Sequence, residues 1–296
     1  MAFGDLACFD HPSPTHGPLH NSFAYVPTAY LESRANGEAA LAHELGHNLG
    51  MGHANALEAG AAVVGPVGVP GQSLEYKDFY DRMGSDTGLY NAQHLDALGW
   101  FDGEHSEQSV DVDGDYRIQP LESQTPVVKA LRMARGAGSN FWIEYRQPLG
   151  AYDSTFPAAE PANSQVYGGA LVHLSDPSLA ADHSHLLDFS PGSRPNKVTC
   201  AVGAMPCDVN DVALLPGVRW QDPSSAVSLE VLSADAAGLT VRVHVASPNS
   251  GTPVQVDGGD AGSGRCWLST GCRGTRTSAA ATPGPGRRSS CHLHEF

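Results

Sequence analysis

The sequence predicts an α+β fold in two parts, a helix-bearing part over residues 1–100 and an all-β, sandwich-like part over residues 109–247. Two patterns predict this. Leu41, Leu45 and Leu49 recur at helical spacing in one segment. Downstream, apolar residues alternate at a spacing of two in short runs divided by turn residues, as in the strands of a sandwich. With 296 residues, 41% hydrophobic and 17% charged, the chain is long and apolar enough to bury a substantial core.

In chain order, SFAYVPTAY (22–30) predicts one strand, and the helix follows. The apolar stretch over 59–71 is short and broken by Pro66 and Pro70, so no transmembrane segment is expected. LYNAQHLDALGW (89–100) predicts a short helix, and residues 101–108 read as a junction. FWIEY (141–145), GALVHL (169–174) and VALLP (212–216) predict strands. Val227, Leu229 and Val231, then Leu239, Val241, Val243 and Val245, alternate on either side of the turn signal SADAAG and predict a hairpin. Residues 248–263 have the Gly, Ser and Asp content of a flexible linker. Residues 264–296 hold five arginines against one glutamate without any periodicity and read as an unstructured Arg/Cys-containing tail.

A formal net charge of −15 disfavours binding to a phosphate backbone or an anionic membrane, so no nucleic acid partner is expected. MAFGDLACFD shows no basic region before an apolar run, hence no visible signal peptide. Cys200 and Cys207 are close enough to close a short loop as a disulfide, which favours an oxidising compartment, or to stay reduced.

The chemistry lies in LAHELGHNLGMGH, which sets His43, Glu44, His47, Gly50 and His53 in the pattern H-E-x-x-H-x-x-G-x-x-H. On a helix His43 and His47 are one turn apart on one face and can share a metal ion. Glu44, rotated by about 100°, reaches an activated water without being a ligand. Gly50 permits the sharp turn that brings His53 back as the third ligand. The leucine stripe lies about 200° around from the histidines and is expected to bury against a sheet. With this composition, H-E-x-x-H arises by chance in about 0.03 of such sequences and the long pattern in about one in 10⁴, so the long pattern carries the reading.

That pattern resembles the zinc site of the metzincin peptidases. YDRMGS, with Met83, and LYNAQHLDALGW resemble the gametolysin-like branch, as do NFWIEYRQPLGAYD and ALVHL more loosely. The resemblance implies a metzincin-like catalytic domain over 1–100, one catalytic zinc ion on His43, His47 and His53, Glu44 as general base, and Met83 in a tight turn beneath the metal. Protein or peptide substrates and a secreted, extracellular setting are implied with it. Tyr90 is weighed as an additional oxyanion donor and reads better as a packed aromatic. The resemblance also implies several strands before the zinc helix. Only 42 residues precede His43, so the domain reads as N-terminally truncated, with an export signal upstream of Met1.

Asp111, Asp113, Asp115, Ile118 and Glu122 fall at calcium-loop positions, but Tyr116 stands where such a loop needs glycine, so strand, turn, strand is the preferred reading over a Ca2+ site. His11, His16, His20, His183 and His185 lack a complete ligand set, and His94 reads as structural. Two functions stay open: a zinc endopeptidase, and a non-catalytic or degenerate homologue whose zinc is structural and whose β part binds a partner. Glu44, which zinc binding does not require, favours the enzyme.

Overall fold

The computed structural model describes residues 2–85, 88–101, 106–124, 127–155, 165–193 and 211–245. The Cys200–Cys207 pair, the 248–263 linker and the 264–296 tail lie outside the described residues. Among the described residues the elements run β1 (Phe3–Gly4), β2 (Phe9–His11), β3 (Leu19–Asn21), β4 (Ala24–Tyr25), α1 (Arg34–Asn48), β5 (Ala54–Glu58), β6 (Gln72–Leu74), α2 (Arg82–Ser85) and α3 (Ala92–Ala97). They continue through β7 (Glu107–Ser109), β8 (Gly114–Ile118), β9 (Ala130–Gly136), β10 (Ser139–Tyr145), β11 (Ala170–Ser175), β12 (Ser184–Leu186), β13 (Arg219–Gln221), β14 (Ser228–Asp235) and β15 (Gly238–His244). The fold is mixed α+β, with few helices and several sheets.

A seven-stranded sheet has the order β6-β5-β12-β11-β10-β9-β7, and a four-stranded sheet the order β13-β14-β15-β8. Alternation along the strands explains how they pack. Phe141, Ile143 and Tyr145 of β10, with Leu131, Met133, Val172 and Leu174, share one core with Leu229, Val231, Leu239, Val241 and Val243 of the smaller sheet. Each fully buried side chain of this kind contributes about 1.5–3 kcal/mol, so this core dominates the stability. The intervening residues Trp142, Glu144, Leu171 and His173 are buried as well, so the large sheet is covered on both faces. Its second face supports the helical part.

Several expectations meet a different outcome. β5 pairs in parallel with β12, Ala54 with Ser184 through Ala56 with Leu186, so the large sheet draws strands from both sides of residues 101–108. β7 begins at Glu107, within that segment, and pairs with β9. SFAYVPTAY yields only the two-residue β4 and then a 3-10 turn over Thr28–Glu32, because Pro27, itself extended, has no N–H with which to continue a ladder. VALLP contributes one bridge, Leu214 to Ala170, rather than a strand.

The leucine stripe is not buried. Leu41, Leu45 and Leu49 are 45%, 41% and 38% exposed. Helix α1 instead packs through Gly37, Ala40, His43, Glu44 and Gly46. The two-residue strands β1 and β4 that meet α1 offer no layer broad enough to cover the stripe. Residues flanking those strands hold the helix end: Asn48 Nδ2 donates to the carbonyls of Asp5 and Phe23, and the Ala7 N–H to the His47 carbonyl.

Three of the four carboxylates weighed for calcium are engaged in the chain itself. Asp115 accepts two bonds from Arg242, Asp113 accepts the Val245 N–H, and Glu122 accepts the N–H groups of Tyr152 and Asp153. The strand part of the strand, turn, strand reading is present as β8, paired antiparallel with β15.

Candidate metal centre

Helix α1 presents His43 and His47 one turn apart and ends one residue past His47, with Leu49 as its C-cap. Its stop is hydrogen-bonded as a Schellman motif: the Gly50 N–H donates to the His47 carbonyl at 2.8 Å and the Met51 N–H to the Gly46 carbonyl at 3.1 Å. Gly50 sits at φ +94°, a left-handed conformation that glycine adopts without steric cost. The chain thereby reverses, and His53 arrives beside the other two imidazoles. Ring centroids are 4.9 Å apart for His43 and His47, 4.9 Å for His47 and His53, and 5.5 Å for His43 and His53. One ligand atom from each lies within 4.8 Å of the others, close enough to hold one metal ion.

The partners of the rings show which nitrogens are available. His43 Nδ1–H donates to the Arg82 carbonyl at 3.0 Å and His47 Nδ1–H to the Met51 carbonyl at 2.8 Å. His53 Nδ1 bonds a carboxylate oxygen of Glu75 at 2.8 Å. A carbonyl can only accept, so Nδ1 carries the proton and Nε2 keeps the lone pair a metal needs. Burial lowers the pKa of His47, and burial followed by the nearby charge of His47 pushes His53 down to about 4. Imidazoles whose Nδ1 is held in this way present Nε2 to a metal ion.

Glu44 is buried on α1 next to His43. Met83 is fully buried, and its sulfur lies against Gly46, where any Cβ would collide with it. The hydroxyl of Tyr90 donates to the Ala42 carbonyl at 2.7 Å, which ties the residue to the body of α1 as a packed aromatic. His94 bonds the buried Asp81 through Nδ1.

A buried polar network, which pattern reading missed, holds the Met83 segment in place. Asp81 accepts the N–H groups of Met83 and Asn91, and these bonds together with His94 keep its carboxyl below the usual range although burial opposes its charge. Asp78 bonds His173 Nε2 of β11 at 2.8 Å. Glu144 of β10 accepts the Ala92 N–H at the start of α3 and bonds Arg146, whose guanidinium also reaches Asp153. Glu144 and Arg146 lie two apart on one face of a strand, a signal in FWIEYR of a paired charge on the helix side of the sheet.

His183 lies outside the ligand trio, its ring 5.6 Å from His53 and its Nδ1 on Asp182. His185, in β12, is buried, and burial followed by the charge of His183 pushes its pKa down to about 4. Its ordinary value is near 6.5, so the unfolded chain binds the extra proton between those limits. The stability it contributes is complete above pH 6.5 and is lost as pH falls through 4. His173 has the opposite sign: burial lowers its pKa, but Glu144 and Asp78 outweigh that, so its contribution is lost as pH rises through the raised value. In urea titrations of the metal-free chain, His185→Gln is expected to make the loss of stability between pH 6.5 and 4 shallower. An unchanged slope would remove His185 from the acid limb.

Cys8 is disulfide-bonded, and the other five cysteines lie outside the described residues. In comparisons with known proteins, the chain matches no family model, no curated protein and no solved structure.

Proposed function

We propose that the chain is a zinc-dependent endopeptidase that hydrolyses protein or peptide substrates without a covalent intermediate. The observation that carries the reading is the trio His43, His47 and His53, oriented through Nδ1, with Glu44 buried beside it on the same helix. Three imidazoles suit zinc, and a zinc ion there supplies Lewis acidity that activates water and polarises the scissile carbonyl. Glu44 accepts the proton of the attacking water on its carboxylate and delivers it to the leaving amine nitrogen. Arg82, Met51 and Glu75 hold the rings in register, and Met83 closes the floor beneath α1.

A structural zinc site takes four protein ligands, whereas the cluster among the described residues has three, which favours an open position for water. The metzincin-like wording of the motif supports the peptidase reading over other hydrolases. The Cys8 disulfide supports a secreted setting.

The test is hydrolysis of a reduced, alkylated protein by the purified full chain, after metal depletion and after addition of one equivalent of zinc. Activity that returns with zinc supports the reading. A folded chain that binds zinc and leaves the substrate intact overturns it. Glu75→Ala removes the acceptor behind His53 and is expected to weaken zinc binding by about 10–100-fold in a chelator competition. Because the Glu75 side chain is 62% exposed, the melting temperature of the metal-free chain should hold.

A further inference from the structure

Immediately after β6, Glu75 and Tyr76 meet the third ligand. Glu75 holds its Nδ1, and the Tyr76 ring lies against the imidazole, centroids 4.0 Å apart and planes tilted by 42°. The same ring is 5.9 Å from His43, so it stands beside two of the three ligands. Tyr76 has φ +61°, a left-handed conformation in which a bulky side chain is an outlier. Its backbone N–H donates to Oδ1 of the buried Asn55 at 3.0 Å, and Asn55 Nδ2 donates to Ser73 Oγ at 2.9 Å. The strand that follows His53 therefore helps to hold the strained backbone. Tyr76 is 42% exposed, so burial of the ring offsets little of that strain. Strain kept at a half-exposed aromatic beside a metal centre points to a functional constraint on where the ring stands.

We propose that Tyr76 is a specificity-determining residue whose exposed ring receives an aromatic or large apolar side chain of the substrate next to the bond to be cut. This rests on the endopeptidase reading. A fixed aromatic platform favours stacking or edge contacts and loses little entropy on binding. The neighbouring carboxylates of Glu75 and Asp182, 62% and 31% exposed, disfavour an acidic side chain at the same place.

Binding tests this apart from turnover. In the zinc-loaded Glu44→Gln background, fluorescein-labelled octapeptides carrying Phe, Leu, Ala or Glu at one position in turn are titrated by anisotropy. The Phe peptide is expected to bind about tenfold more tightly than the Ala peptide at one position, with the Glu peptide weakest. Tyr76→Phe should keep that ratio and Tyr76→Ala should bring it below about twofold. A ratio that survives Tyr76→Ala, or one that Tyr76→Phe abolishes, overturns the proposal. The melting temperature of the metal-free Tyr76→Gly chain gives a second readout. It should stay level or rise as the strain is released, and a fall would make Tyr76 a structural residue and overturn the proposal. Tyr76-dependent peptide selectivity in a chain that never cleaves would remove the endopeptidase reading and leave Tyr76 as the apolar contact of a peptide-binding site with no bond to cut. Cleavage with selectivity independent of Tyr76 would do the reverse.

Discussion

The Glu44→Gln chain is expected to bind one zinc ion as tightly as the wild type and to hydrolyse a denatured protein about 10²–10⁴-fold more slowly. Glutamine has nearly the same shape and still fits the buried place that Glu44 occupies on α1. It cannot take up the proton that an attacking water must lose. The exchange leaves the Nδ1 partners of the rings in place, since these are Arg82, Met51 and Glu75. Metal content and turnover measured on the same sample decide the matter. Undiminished turnover would remove Glu44 from the reaction, and loss of zinc together with turnover would give it a part in building the site.

A second large effect is expected far from the motif. Arg146 is fully buried between Glu144 and Asp153, and its Nη2 donates to the Leu89 carbonyl. Burial alone would lower its pKa, but the two carboxylates more than offset that and keep the guanidinium charged. Arg146→Met keeps most of the volume but leaves both carboxylates buried without their cation, an error that costs about 3–5 kcal/mol. For a chain of this size that is a fall in melting temperature of about 6–20 °C. Glu144 also accepts the first N–H of α3, so the disturbance reaches the segment that carries Met83 and Asp81, and zinc affinity should fall with stability. Adding Glu144→Gln and Asp153→Asn to Arg146→Met should recover most of the loss, because the uncompensated charge is then gone. A melting temperature within about 2 °C of wild type in Arg146→Met would show that the network contributes nothing net.

The metal trio was legible in the sequence because its geometry is local. One helical turn, one glycine stop and a short return place all three rings within eleven residues. The β10, β11 and β14–β15 strands were legible for a similar reason, since each carries its own alternation. Tyr76, Glu75 and His183 could not be read that way, because they reach His53 through pairings distant in sequence, β5 with β6 and β5 with β12. Nor does alternation reveal that the polar positions of β10 are buried. Trp142 and Glu144 read as an outer face until the helical part is seen to cover them. The leucine stripe failed in the opposite sense: helical periodicity identifies an apolar face but does not supply the layer to bury it.

The parallel pairing of β5 with β12 also orders events in time. On the ribosome, the helix bearing His43 and His47 emerges early, whereas the strand that pairs directly after His53 is translated only at residues 184–186. The nascent chain therefore carries its three imidazoles for well over a hundred residues before the parallel partner of β5 is available. The sheet behind the trio is thus completed late in biosynthesis, well after the motif itself has been made.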